Sequence, residues 1–112
     1  MLGIAVSLFI LLAAVGIVRE AAGPLMGEAP DARTVKRIND LVVASAPLVL
    51  NVHHVHIHRY GDHTEVTLHA IMPGDTTLDR AHEVSSVVED RIRAELGMEA
   101  TVHAEPGGVR AP

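Results

Sequence analysis

From Leu2 to Val18 the chain carries no charged residue (LGIAVSLFILLAAVGIV), and only Gly3, Gly16 and Ser7 interrupt its aliphatic character. A backbone in lipid must satisfy its own amides, so the run is expected to be a membrane-spanning helix. At roughly 1.5 Å per residue it reaches about 25 Å, a short but workable span when flanking residues snorkel or the bilayer thins. A cleaved signal would need a positive region before the apolar stretch and a small-x-small site directly after Val18, and the sequence has neither. Positive charge lies only on the C-terminal side, at Arg19, Arg33, Lys36 and Arg37. That asymmetry places the N-terminus outside and the following domain in the cytoplasm. No Asp, Glu or His falls within the run, so this helix offers no ion-coordinating group.

The remainder of the 112 residues is one small domain. Domains of that size bury a modest share of their surface and often lean on a disulfide, a metal or a partner subunit. Cysteine is absent, which removes the first option and fits a reducing compartment. The formal net charge is −5 and the only aromatic residues are Phe9 and Tyr60. Neither a basic face for phosphates nor a base-stacking surface is available, so nucleic acid is not an expected partner. Histidine is the outlier, with eight residues, six of them between His53 and His69.

Punctuation divides the chain into a span (residues 1–20), a helix exit and hinge (21–30), a folded domain (31–106) and a flexible tail (107–112). Gly23-Pro24 and Gly27 are expected to break the first helix. Asp31 is a reasonable N-cap for a helix bearing Val35, Ile38, Val42 and Ala46 at helical spacing and ending before Pro47. Leu48–Tyr60 and Thr64–Met72 flank a Gly61-Asp62 turn and read as a β-hairpin. Thr76 with Asp79 forms a capping-box variant ahead of a stripe of Leu78, Ala81, Val84, Val88, Ile92 and Leu96, stopped by Gly97. A last strand runs from Glu99 to Glu105. The expected fold is α+β: an N-terminal transmembrane helix, then an α-β-β-α-β domain with two helices on one face of a three-stranded sheet. The other face is left for polar groups or a partner.

Strand periodicity sends Val66, Leu68, Ala70 and Met72 inward and Thr67, His69 and Ile71 to the open face. In the last strand Val102 and Ala104 point inward, so Thr101, His103 and Glu105 point outward, and His103 with Glu105 forms a compact nitrogen and oxygen pair. The first strand adds His53, His54, His56 and His58. A hairpin centred on Gly61-Asp62 sets His54 opposite His69 with His53 beside it, and a single bulge exchanges the two. Imidazole and carboxylate suit Zn²⁺ and its divalent neighbours, while the lack of thiolate disfavours Cu(I). A lone strand histidine is ordinarily a surface or satisfied core group. Clustered imidazoles repel when protonated, and a metal that takes neutral imidazole removes that repulsion; a pH-sensing cluster is the alternative. No cysteine nucleophile and no serine beside a histidine and an acid is recognisable, so an enzyme is not expected.

The stretch VREAAGPLMGEAPD after the apolar run, the strand VHHVHIH, then VTLHAIM, LDRAHEV and VHAEP follow one another in an order that resembles the cation diffusion facilitators, proton-coupled exporters of zinc, cadmium, cobalt, iron or manganese. VHHVHIH is similar to that family's VHDLHVW strand motif, with His54 where the aspartate stands and His58 where the tryptophan stands. The resemblance spans nearly the whole chain, as the last membrane helix plus the cytoplasmic domain. It implies a metallochaperone-like, open ferredoxin-like domain that forms a homodimer and binds regulatory Zn²⁺ or a similar cation (Cd²⁺, Co²⁺, Fe²⁺, Mn²⁺). It also implies metal ligands at His53, His69, His82, His103 and Glu105, the last replacing an aspartate, and matches His56 to a histidine of variable role. The family's transport site lies on earlier helices, as paired His and Asp one turn apart, and this sequence has none of them. The expectation is therefore a regulatory, dimerising domain of an exporter that does not move ions by itself. The alternatives are a membrane-tethered metal buffer or chaperone, and a purely structural dimerisation module.

Overall fold

In the computed structural model, which describes residues 1–26 and 29–108, six elements follow one another: α1 (Leu2–Leu25), α2 (Ala32–Ser45), β1 (Asn51–Tyr60), β2 (His63–Met72), α3 (Leu78–Leu96) and β3 (Glu99–Pro106). Helix α1 buries none of its residues. Among the described residues it is the one helix long and apolar enough to cross a membrane. It runs on through Gly23-Pro24 to Leu25 rather than stopping there, because a proline in the last turn forfeits one helical hydrogen bond and the turn closes without it: Met26 N–H donates to Ala22 and Gly23 carbonyls. Part of the expected hinge, residues 27–28, lies outside the described residues, as do residues 109–112 of the expected tail. Gly107 N–H donates to the Met72 carbonyl at 2.6 Å, continuing the strand pairing one residue beyond β3.

Helix α2 starts where Asp31 accepts from Thr34 N–H at 2.6 Å, a bond that satisfies an otherwise orphaned donor and holds the Asp31 carboxyl below the ordinary carboxylate range. Its stripe of Ile38 and Val42 is fully buried. Helix α3 is capped by Thr77, one residue later than the expected Thr76: the first helical bond runs from Ala81 N–H to the Thr77 carbonyl, and Thr77 Oγ1 accepts from Arg80 N–H, while Thr76 N–H closes the preceding turn on the Pro73 carbonyl. Burial in α3 begins at Ala81; Leu78, counted in the sequence stripe, is exposed. The helix ends at Gly97, whose φ of +64° suits a residue without Cβ.

The sheet order is β1-β2-β3, with β1 and β2 antiparallel and β2 and β3 parallel. A tight turn at Gly61 (φ +66°) supplies the first connection and α3 the longer crossover that a parallel pair needs. Val66, Leu68, Ala70 and Met72 of the central strand join Ile38, Val42, Val84, Val88 and Ile92 in one core. Both domain helices therefore cover the same face, and β2 presents Glu65, Thr67, His69 and Ile71 on the other. The edge strand β3 is partly blunted, since Glu89 of α3 accepts from Val102 N–H at 3.1 Å.

Candidate metal centre

The uncovered face is organised in rows across the three strands. His53 of β1, His69 of β2 and His103 of β3 stand in one row, because His53 pairs with His69 and His69 with His103. The next row, Asn51, Ile71 and Glu105, brings the carboxylate beside them. Between His53 and His56 the register shifts, so that β1 carries one extra residue there. The bulge is the arrangement that sets His53, rather than His54, opposite His69.

The bulge has a cause in the sequence. Val52, Val55 and Ile57 all pack against the core. Val55 and Ile57 are in phase, but Val52 and Val55 are three apart, and a period of two cannot bring both inward without an inserted residue. His54 absorbs the insertion with φ +49°, the one non-glycine positive φ among the described residues.

Around this point the side chains converge. His69 Nδ1 lies 2.6 Å from Glu105 Oε1, and His53 Nε2 lies 3.2 Å from Glu105 Oε2. The ring centroids of His53 and His69 are 5.4 Å apart, and His103 stacks on His69 at 4.8 Å. The ring of His54 stands 4.7 Å from that of His53 and 5.2 Å from that of His69. One ring nitrogen from each of His53, His54 and His69 falls within 4.8 Å of the others. Ligands of tetrahedral Zn²⁺ at about 2.0–2.1 Å sit roughly 3.4 Å apart, a contraction within reach of side-chain rotation. His53 Nδ1 is enclosed and has no hydrogen-bond partner among the described residues, as is His58 Nδ1 nearer the hairpin turn.

Glu105 is held below the ordinary carboxylate range, first by the hydrogen bond from His69, with burial opposing, and then by the charges of His69, His53 and His103. A lowered carboxyl stabilises the fold above the ordinary carboxylate pKa, and that contribution is lost only as pH falls through the lowered value. Glu105 is thus ionised throughout the range in which imidazole usually titrates.

Of the residues assigned by resemblance, His53, His69 and Glu105 are half-buried and in contact, and His103 is exposed but stacked on His69. His82 is exposed on α3, beside the stripe that packs on the covered face of the sheet, and is not among the three clustered imidazoles. His54, outside the assigned set, is brought in. The remaining histidines lie toward the hairpin turn: His58 stacks on Tyr60 at 6.2 Å, and His63 Nε2 lies 3.2 Å from Glu65 Oε1.

A family model described as the cytoplasmic domain of cation efflux proteins matches residues 30–107. Among solved structures, the zinc form of the zinc transporter CzrB is 29% identical with a TM-score of 0.66, over 76% of this chain and 98% of that one. A second CzrB structure gives 28% identity and a TM-score of 0.63, over 71% of this chain and 100% of that one. A nickel form of the MamM C-terminal domain, 19% identical with a TM-score of 0.60 over 68% of this chain and 98% of that one, shares the fold. No curated protein matches the chain.

Proposed function

Since the chain belongs to the cation diffusion facilitator family, we propose that it is the divalent-cation-binding, dimerising regulatory domain of a cation exporter, carried on one membrane helix. The observation behind this reading is the convergence of His53, His69 and Glu105, with His103 stacked alongside, on the uncovered face of the sheet. Neutral imidazoles with a carboxylate are donors for Zn²⁺ and similar divalent ions. The zinc form of CzrB supports zinc as the first ion to test. His82 enters the ligand set by family resemblance alone.

The apolar surface of α1 favours lipid as its surroundings, since its large hydrophobic residues are exposed along the whole run from Leu2 to Val18. Residues 1–20 then span the bilayer with the N-terminus outside, and residues 31–106 form the cytoplasmic domain. The span itself has no Asp, Glu or His to pass an ion along. A cation on the open face would draw two copies together if its coordination is completed by a second protomer, and binding to that associated state alone would stabilise it. The family is one of transporters rather than enzymes.

Zinc titration of the full chain in detergent micelles tests this reading. Metal needs neutral imidazole, whose ordinary pKa is about 6.5, so affinity should be high at pH 7.5 and fall at least about tenfold at pH 5.5. Glu105 stays ionised over that interval, so the loss belongs to the histidines. Absence of saturable zinc uptake at pH 7.5 would rule out the site.

A further inference from the structure

We infer that Arg33, Arg37 and Arg59, with Arg19 at the end of the apolar run, form a docking surface for anionic phospholipid headgroups that holds the domain against the cytoplasmic leaflet. The inference rests on the membrane-span reading of α1 above and is independent of the histidine face.

The described cations divide into two groups. On α3, Arg80, Arg91 and Arg93 each close an ion pair with a carboxylate three or four residues away, and on α2 Lys36 does the same with Asp40. Arg19, Arg33, Arg37 and Arg59 are exposed and close no ion pair among the described residues. A guanidinium that its own helix neutralises has little left for an outside anion, whereas these four keep their charge and their donor forks for one.

Position supplies the anion. Arg19 directly follows Val18, the last apolar residue of the run, and Pro24 lies six residues beyond Val18. At roughly 1.5 Å per residue that is about 9 Å, so the helix exit lies within a Debye length of the headgroups. The domain is seated on this exit. Ala22, Gly23 and Pro24 are half-buried, while the rest of α1 is bare. Pro24 and Arg59 line one hollow with Asp31 and Thr34, where α2 begins. Arg59 stands two residues beyond the buried Ile57, in the same strand phase, and so on the side of the sheet where α2 packs. Arg33 and Arg37 are one turn apart in the first two turns of α2 and share one exposed face. Asp31, the carboxylate in the hollow, is held by Thr34 N–H as the helix cap rather than by a guanidinium. Phosphate fits the guanidinium fork, and an anionic leaflet presents it in a continuous layer at this depth. Three arginines near such a surface should shift the balance between a docked and a freely tilting domain by roughly a hundredfold.

Tyr60 is a reporter already in place, since it is the sole tyrosine, tryptophan is absent, and it adjoins Arg59. The full chain is inserted into nanodiscs of phosphatidylcholine, with or without phosphatidylglycerol, each carrying a headgroup-nitroxide lipid, and quenching of Tyr60 emission is read. Wild type should be quenched strongly in the anionic discs and weakly in the neutral ones, and high salt should bring the first down to the second. A triple variant, Arg33→Gln with Arg37→Gln and Arg59→Gln, should behave in anionic discs as wild type does in neutral ones. Arg91→Gln with Arg93→Gln should keep the wild-type response, and thermal unfolding confirms that each variant is folded. Equal quenching of wild type in the two discs overturns the proposal whether or not the triple variant folds. A folded triple variant quenched like wild type in anionic discs also overturns it. So does inorganic phosphate that abolishes the response at an ionic strength where chloride does not, because the arginines would then serve free phosphate. A chain that enters neither disc overturns the membrane-span reading itself.

Discussion

Leu68→Ala should cost the domain about 2–5 kcal/mol and lower its melting temperature by roughly 10 °C or more. Leu68 is fully buried at the centre of the middle strand, where the helices α2 and α3 meet the sheet. Truncation there removes transfer free energy and leaves a cavity that neighbours on three elements cannot all move to fill. A small domain has little reserve, since stabilities of about 5–15 kcal/mol are usual and small cores fall at the low end. Leu68→Met, which conserves volume, should cost less than about 1.5 kcal/mol. Urea unfolding followed by amide hydrogen exchange in β2 measures both, independently of the helical signal from α1. Equal midpoints for the alanine and methionine variants would show that the core is not centred where the burial places it.

His69→Ala should have an opposite profile, with little change in the metal-free protein and a large one in the presence of zinc. His69 stands on the uncovered face, touches Glu105 at 2.6 Å and has rings of His53, His54 and His103 within 5.4 Å, so it is the hub of the cluster without being part of the core. A ligand that binds only the folded state stabilises it by about 2.7 kcal/mol at a hundredfold excess over its dissociation constant. Wild type should show an upward shift of roughly 10 °C on zinc addition, and the variant almost none. The same shift in both proteins would mean that zinc stabilises the chain through some other group.

These two residues also mark how far the sequence could be read. The alternation of Val66, Leu68, Ala70 and Met72 and the helical stripes of Ile38 and Val42, and of Val84, Val88 and Ile92, give element type and facing directly, because burial follows the period of the backbone. Motif order adds the fold family, and the structure agrees with it. Boundaries were less legible where one hydrogen bond decides them. Thr76 and Thr77 are equally good caps by type, and the choice shows only in which carbonyl takes the first helical bond, here that of Thr77 from Ala81 N–H. Register was harder still. Moving the pairing by one residue swaps His53 and His54 before His69, and both placements agree with a hairpin turning at Gly61-Asp62. The odd spacing of Val52 and Val55 was the available clue to the bulge. What no local pattern carries is the meeting of Glu105 with His53 and His69, since it depends on β3 returning parallel to β2 through α3.

X-ray absorption at the zinc edge, on the full chain in detergent with one equivalent of metal at pH 7.5, addresses the histidine face as a cation site. The expected spectrum has a first shell of nitrogen and oxygen at about 2.0–2.1 Å, with the outer-shell scattering of about three imidazole rings. A shell of oxygen alone, without imidazole scattering, would place the metal elsewhere and leave the row of His53, His69 and His103 without its proposed role.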